Sequence, residues 1–190
     1  MESLKKLDMK KALLLFLIIP FMAFQCEPGE PCEPAIKQKS KPNLITVENL
    51  QTNYIVGDII WLNSSLEKNQ LFENPNETID LLSYPLDYAL GFQFYKSSLY
   101  STDTYLCIDE SSSEVTIGSN NNCNTFVYEK DGDFLKSRVG IKLLETGNFK
   151  IILSSISTFR ETGLNCGDNA LDIYTTFSNN NQNSITFIVQ

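Results

Sequence analysis

Apolar residues that alternate with polar or small ones are the feature that most limits the fold of this chain. The alternation is clearest in residues 90–94, 149–153 and 185–189, where Leu, Ile, Val or Phe occupies every second position. Successive side chains of a β-strand point to opposite faces, so one face of each segment is apolar. The pattern therefore predicts half-buried strands rather than helices.

Shorter strand candidates, separated by turn-forming sequences, occur along the rest of the chain. They are residues 44–48, 59–63, 104–108, 114–117, 125–129, 139–143 and 171–177. Only residues 65–72 have a helix-like pattern, with a serine as a possible N-cap. We predict an all-β fold, an antiparallel β-sandwich of immunoglobulin-like or jelly-roll-like type. Long loops are expected because residues 44–190 exceed the roughly 100 residues of a minimal immunoglobulin-type sandwich.

The composition argues against several classes of function. The net charge is −8, whereas nucleic-acid binding needs clustered Lys and Arg to neutralise phosphates. The chain has no His, so the commonest general base and the commonest metal ligand are both missing. No Cys-x-x-Cys pair replaces them. We predict no nucleic-acid partner, no metal, no cofactor and no catalytic residues, and expect that the protein is not an enzyme.

The first 25 residues have the pattern of an export signal. Lys10 and Lys11 precede an apolar run, residues 12–24, that is shorter than the roughly 18 residues of a spanning helix and is interrupted by Pro20. Met9, directly before the two lysines, gives a more compact signal than Met1. We predict a cleaved signal peptide over residues 1–25.

The residues after the apolar run, Phe24-Gln25-Cys26-Glu27-Pro28, resemble the end of a bacterial lipoprotein signal. In that family the cysteine is diacylated and becomes the new N-terminus, which implies Cys26 as the lipid-bearing residue and an outer-membrane or other envelope location. Ala23 and Gln25 depart from the family's preferred Leu and small residue. The alternative is ordinary cleavage and secretion. Residues 57–62 are also similar to a segment of small bacterial envelope proteins, a resemblance that implies no activity.

The cysteine count fits lipidation. The chain has five cysteines, an odd number for an oxidising compartment. If Cys26 carries lipid, the four that remain allow two disulfides in any of three connectivities. We favour Cys107 with Cys123, which closes a short polar loop, and Cys32 with Cys166.

A proline-rich segment separates the signal from the strand-rich region. Residues 26–43 contain four prolines among Glu and Lys and almost nothing apolar to bury. Such a composition favours an extended spacer. The predicted organisation is a signal peptide over 1–25, a tether over 26–43 and a β-sandwich domain over 44–190.

Two groups of acids are candidates for a site. Glycoside hydrolases use paired carboxylates, which any two of six acids provide if the fold brings them together. The six are Glu73, Glu77, Asp80, Asp109, Glu110 and Asp133. We favour the interpretation that these six acids are solvated surface residues. Asp131-Gly132-Asp133, with Glu129, suggests either calcium or a hairpin turn, and we favour the turn.

Aromatic residues are the remaining candidates. Tyrosine and tryptophan rings combine rigid contact area with a polar tip and suit sugar-binding or protein-binding surfaces. The residues are Trp61, Tyr84, Tyr88, Tyr95, Tyr100 and Tyr105. For Trp61 we predict instead a place in the core between two sheets. The resulting hypothesis is a non-catalytic, envelope-anchored binding or accessory module for glycans or envelope proteins, with a carboxylate-dependent hydrolase as the alternative.

Overall fold

The computed structural model describes residues 33–73, 76–98 and 102–190. Within these ranges the chain forms β-strands and one short 3₁₀ helix, Leu81–Ser83. The strands are β1 Ala35–Ser40, β2 Ile45–Glu48, β3 Asn53–Tyr54, β4 Ile59–Glu67, β5 Asn69–Glu73, β6 Asn76–Asp80, β7 Asp87–Ser97, β8 Thr104–Leu106, β9 Ser113–Ile117, β10 Ser119–Asn122, β11 Thr125–Val127, β12 Glu129–Asp131, β13 Phe134–Lys142, β14 Gly147–Phe159, β15 Asn169–Tyr174 and β16 Ser184–Val189.

The first sheet is built on a long antiparallel ribbon of β7 and β14. On the side away from β7, β14 pairs with β16 along its first half and with β15 near its end. On the side away from β14, β7 pairs with β11 and, further along the strand, with β8. A register shift between Leu153 and Ile156 lies where β14 passes from β16 to β15. Two strands at the margins, β1 on β15 and β3 on β16, are parallel to their neighbours.

The second sheet has the order β12-β13-β4-β2, with β9 also paired to β13. In β4 the buried positions alternate with more exposed ones, and Ile60, Leu62 and Leu66 point into the core. A separate hairpin, β5-β6, completes the set of sheets. Alternate burial in β4 is what a strand with one face on the core requires.

The two sheets enclose one apolar core. Its aromatic centre in the first sheet is a stack in which the ring centroids of Phe94 and Phe149 are 5.4 Å apart and those of Phe149 and Phe187 are 5.8 Å apart. Buried residues of the second sheet, including Ile60 and Val139, belong to the same cluster. The prediction of an all-β sandwich is confirmed.

The turn after β15 covers one side of β2. The backbone N–H of Val47 donates to Asn179 Oδ1 at 2.8 Å, and Asn179 Nδ2 donates to the Val47 carbonyl at 3.0 Å. The Ser178 N–H donates to the Ile45 carbonyl at 2.8 Å. Unpaired backbone groups at a strand edge invite pairing with other chains, and here Asn179 satisfies two of them.

Two sequence predictions about local structure are wrong. The predicted tether over residues 26–43 includes β1, because the backbone of Ala35–Ser40 pairs with Asn169–Tyr174, and the compact unit runs from Pro34 to Gln190. Backbone pairing needs no apolar side chains, so the polar composition concealed it. Residues 65–72, the predicted helical turn, lie in β4 and β5, where burial alternates with period two.

No helix within the described ranges has the length and apolar character needed to cross a bilayer. The predicted signal peptide and Cys26 lie outside those ranges, so both stay predictions.

Candidate functional site

A polar cleft of about 410 Å³ lies where β1, β6, the 3₁₀ helix and the start of β15 come together. Its lining is mostly polar and includes hydroxyl, amide, ammonium and carboxylate groups. The residues are Lys37, Glu77, Thr78, Ile79, Asp80, Ser83, Tyr84, Pro85 and Asn169. We refer to it as the Tyr84 cleft. Its volume lies within the range of about 300 to 1,000 Å³ that is typical of small-molecule sites.

Glu77 is held in the cleft by an ion pair. Lys39 Nζ donates to Glu77 Oε2 at 2.5 Å, and this lysine is itself buried. The hydrogen bond from Lys39 lowers the pKa of the Glu77 carboxyl below its usual value, and the positive charges of Lys39 and Lys37 act in the same direction. Glu77 is therefore a fixed carboxylate, suited to accepting hydrogen bonds.

Asp80 has a structural role in the cleft wall. Its Oδ1 accepts a hydrogen bond from the Leu82 N–H at 2.9 Å and caps the 3₁₀ helix. The Ser83 hydroxyl donates to the Asp80 carbonyl at 2.7 Å. These local bonds fix the turn that places Tyr84 at the cleft.

Tyr84 is a half-buried ring supported from behind. It contacts Tyr88 edge to face, with 6.5 Å between ring centroids. Tyr88 is buried and donates through its hydroxyl to the Leu81 carbonyl at 3.1 Å, and burial raises the pKa of this phenol. Because Tyr88 is fixed at both ring and hydroxyl, it gives Tyr84 a rigid support.

The fold brings two of the six acidic candidates to the Tyr84 cleft and leaves the others elsewhere. Glu73 lies at the end of β5. Asp109 accepts hydrogen bonds from the hydroxyl and N–H groups of Ser111 and Ser112, which lower its pKa to about 2. Asp133 and Gly132 form the turn between β12 and β13, and Asp131 accepts from Lys136 Nζ at 2.6 Å. The interpretation of Asp131-Gly132 as a hairpin turn is confirmed.

The tyrosine candidates do not form one surface. Tyr84 and Tyr88 belong to the cleft and its support. Tyr95 and Tyr105 are cross-strand partners in β7 and β8, with rings edge to face and centroids 5.7 Å apart. Tyr105 is exposed and accepts a hydrogen bond from Asn124 Nδ2 at 2.8 Å. Tyr100 lies outside the described ranges.

The prediction that Trp61 fills the core is wrong. Ile60 and Leu62 take the inward positions of β4, so Trp61 lies on the outer face of the second sheet. The Arg138 guanidinium sits 3.9 Å above its ring, a cation–π contact, and forms a bidentate ion pair with Glu48 through bonds of 2.9 and 2.7 Å. This arrangement lowers the pKa of Glu48. Trp61 and its neighbours form a closed surface cluster rather than an open site.

The structure confirms the predicted Cys107–Cys123 disulfide. Cys166 is also disulfide-bonded, and its predicted partner, Cys32, lies outside the described part of the chain. Next to Cys123, the buried Asn124 accepts from the Ile108 N–H at 2.7 Å and donates to the Leu106 carbonyl at 2.9 Å. The sequence alone does not indicate a role for Asn124. Its hydrogen bonds reach residues 16 or more positions away in the chain, so they leave no local signal.

Sequence analysis also missed most of the cleft. Lys37 falls within the predicted tether, and Asn169 is not among the residues that the sequence singles out. No signal in the sequence joins them, since they meet only through the parallel pairing of β1 with β15. Around the described part of the cleft, no group of three or more acids or cysteines is arranged to hold a metal ion.

Comparison with known proteins gives no family. No protein-family model matches the chain, and no curated protein matches it. Among solved structures, the chain is similar to the CupB6 tip adhesin from Pseudomonas aeruginosa at 11% identity, with a TM-score of 0.20. The match covers 77% of this chain and 42% of the adhesin chain. Because so low a TM-score does not indicate a shared fold, this similarity carries no argument about function.

Proposed function

We propose that this protein is a non-catalytic glycan-binding module, held at the bacterial cell envelope by a lipid on Cys26. The observation that carries the proposal is the Tyr84 cleft, in which a rigidly supported aromatic ring stands beside hydrogen-bonding groups of both kinds. A sugar presents an apolar ring face and a rim of hydroxyl groups. Aromatic stacking and a mixed set of donors and acceptors match those two features.

Each of these residues of the cleft has a separate role in recognising the sugar. Tyr84 supplies the stacking face, and Glu77, fixed by Lys39, accepts hydrogen bonds from sugar hydroxyls. Lys37 and Asn169, which line the cleft from β1 and β15, supply hydrogen-bond donors. Because the Lys39–Glu77 pair and the Asp80 cap are made within the protein itself, the site is organised before a ligand arrives, which lowers the entropy cost of binding.

A glycoside hydrolase is the second candidate, because Glu77 and Asp80 line one cleft. A general acid at neutral pH needs a raised pKa. Glu77 has a lowered pKa, and Asp80 already accepts a hydrogen bond from the helix that it caps. Both features favour binding over proton transfer.

The test is binding of the full chain to a printed panel of defined oligosaccharides, followed by calorimetry with those that bind. Tyr84→Ala should weaken binding at least about tenfold, equivalent to about 1.4 kcal/mol. The matched control is Tyr174→Ala, since Tyr174 is 45% exposed on β15 and does not line the cleft. Equal losses in the two variants, or no binding across the panel, would contradict the proposal.

The same samples distinguish the hydrolase. Release of reducing sugar from a bound oligosaccharide, abolished by Glu77→Gln or Asp80→Asn, would replace the binding module with an enzyme. Binding without release supports the module.

The envelope anchor has its own test. Intact mass spectrometry of protein from host membranes should give a mass consistent with cleavage before Cys26 and added acyl chains. Cys26→Ser should move the protein out of the membrane fraction. An unacylated mass from the culture medium would make this a secreted binding module instead.

A further inference from the structure

A second concavity, which shares no residue with the Tyr84 cleft, lies between the two sheets where β13 leads into β14. It encloses about 370 Å³ and its walls are largely apolar. The main lining residues are Phe94, Leu106, Ile108, Leu143, Leu144 and Phe149. We refer to it as the apolar pocket.

The walls of the apolar pocket are rigid. Phe94 and Phe149 are both buried and stack on each other, 14° from parallel. Cys107 also lines the pocket, and its disulfide to Cys123 ties the segment after β8 to the turn before β11. Walls made of core side chains and a disulfide keep such a pocket open without a ligand.

The mouth of the pocket combines apolar and charged groups. Leu144 is 63% exposed although it is a large aliphatic residue. Lys142 and Glu145, close to Leu144 in the chain, also line the pocket. Glu145 is already paired, because Lys96 Nζ donates to it at 2.7 Å while lying 5.7 Å from the centre of the Phe149 ring. Among the described residues, no acid forms an ion pair with Lys142.

We propose that the apolar pocket binds a soluble, single-chain anionic amphiphile of the fatty-acid class. The chain would lie against Phe94 and Phe149, and the carboxylate would meet the Lys142 ammonium at the mouth. The protein carries a net charge of −8, which repels anions. An anion is therefore attracted only where a cation without an ion-pair partner offsets this negative potential. The enclosed volume suits one alkyl chain, which apolar burial then holds.

The probes are decanoate and its uncharged analogue decanol, titrated by calorimetry into the full chain below their aggregation concentrations. Both should bind, decanoate more tightly. Leu144→Asp, which places a carboxylate at the mouth, should weaken decanoate at least about tenfold. Lys142→Gln should weaken decanoate severalfold and leave decanol unchanged, because it removes only the charge.

The matched control is Ile188→Asp, since Ile188 is also an exposed aliphatic residue, at 42%, and does not line the pocket. Circular dichroism of each variant checks the fold. Failure of both probes to bind, or an equal loss in Ile188→Asp, would overturn the proposal. An unchanged preference for decanoate in Lys142→Gln would overturn the role of the charge.

This inference does not depend on the proposed glycan site. Tyr84→Ala should leave decanoate binding unchanged, and Leu144→Asp should leave oligosaccharide binding unchanged. Failure of one proposal is therefore distinguishable from failure of the other.

Discussion

The Tyr84 cleft and the apolar pocket are similar in size but are built from different parts of the fold. The cleft lies among marginal strands and a short 3₁₀ helix, and its polar groups are held by an ion pair and a cap. The pocket is walled by the ends of central strands, and its aromatic residues also belong to the core. Exposed residues of the cleft should therefore tolerate substitution with little loss of stability, whereas the buried aromatic residues of the pocket wall should not.

Truncation of a pocket wall should have the largest effect. Phe149→Ala removes a buried ring that stacks on both Phe94 and Phe187. We expect a loss of about 3 to 5 kcal/mol in the free energy of unfolding, measured by chemical denaturation. A loss below about 1 kcal/mol would show that the wall is not part of the core and would remove the contrast between the two sites.

Removal of the disulfide should have the next largest effect. Cys107 and Cys123 are separated by 16 positions, and a crosslink closing a loop of about this length restricts the unfolded chain by about 3 kcal/mol. Changing both cysteines to serine should lower stability by about that amount and weaken decanoate binding. Oligosaccharide binding should persist, and its loss would indicate that the two sites are coupled.

A change at the cleft should cost little stability. Tyr84→Ala removes an edge-to-face contact with Tyr88, which we expect to cost about 1 kcal/mol on denaturation. Comparison with Phe149→Ala under identical conditions gives the contrast directly. A cost equal to that of Phe149→Ala would place Tyr84 in the core rather than in a site.

The smallest expected effect is a salt-dependent change in pKa, which should differ between two carboxyls whose pKa values are both lowered. Glu77 owes its shift to a charged lysine, whereas Asp109, beside the pocket, owes a pKa of about 2 to serine hydroxyl and N–H groups. Salt weakens the interaction between two charged groups more than it weakens a hydrogen bond from a neutral donor. NMR titration at low and high salt should show the pKa of Glu77 rising toward its ordinary value while that of Asp109 stays near 2. Equal responses would contradict this assignment of causes.

The same two carboxyls give a pH dependence with a definite sign. Each has a folded-state pKa below its unfolded value, so each contributes stability that is fully present above the ordinary carboxyl pKa and is lost as pH falls through the folded value. For Asp109 that window extends from its unfolded value near 3.8 down to about 2.

Much of the fold follows from local pattern. The segments with strict alternation, residues 90–94, 149–153 and 185–189, all lie in strands with the predicted face buried. Trp61 shows where the pattern fails. Residues 59–62 are apolar on both faces, so their sequence does not say which face is inward, and only pairing with β13 and β2 selects Ile60 and Leu62.

Local sequence pattern was enough to predict that the described chain is all-β and that Asp131-Gly132 turns a hairpin. For Cys107 and Cys123 it only favoured one of three connectivities, which the structure then confirmed. These features depend on neighbours along the chain. The Tyr84 cleft and the apolar pocket, by contrast, arise from tertiary contacts. Lys37, Glu77 and Asn169 meet because β1 pairs with β15 and β6 lies beside them, and the pocket forms where two sheets approach each other. Such contacts join residues far apart in the chain, and no short-range pattern specifies them.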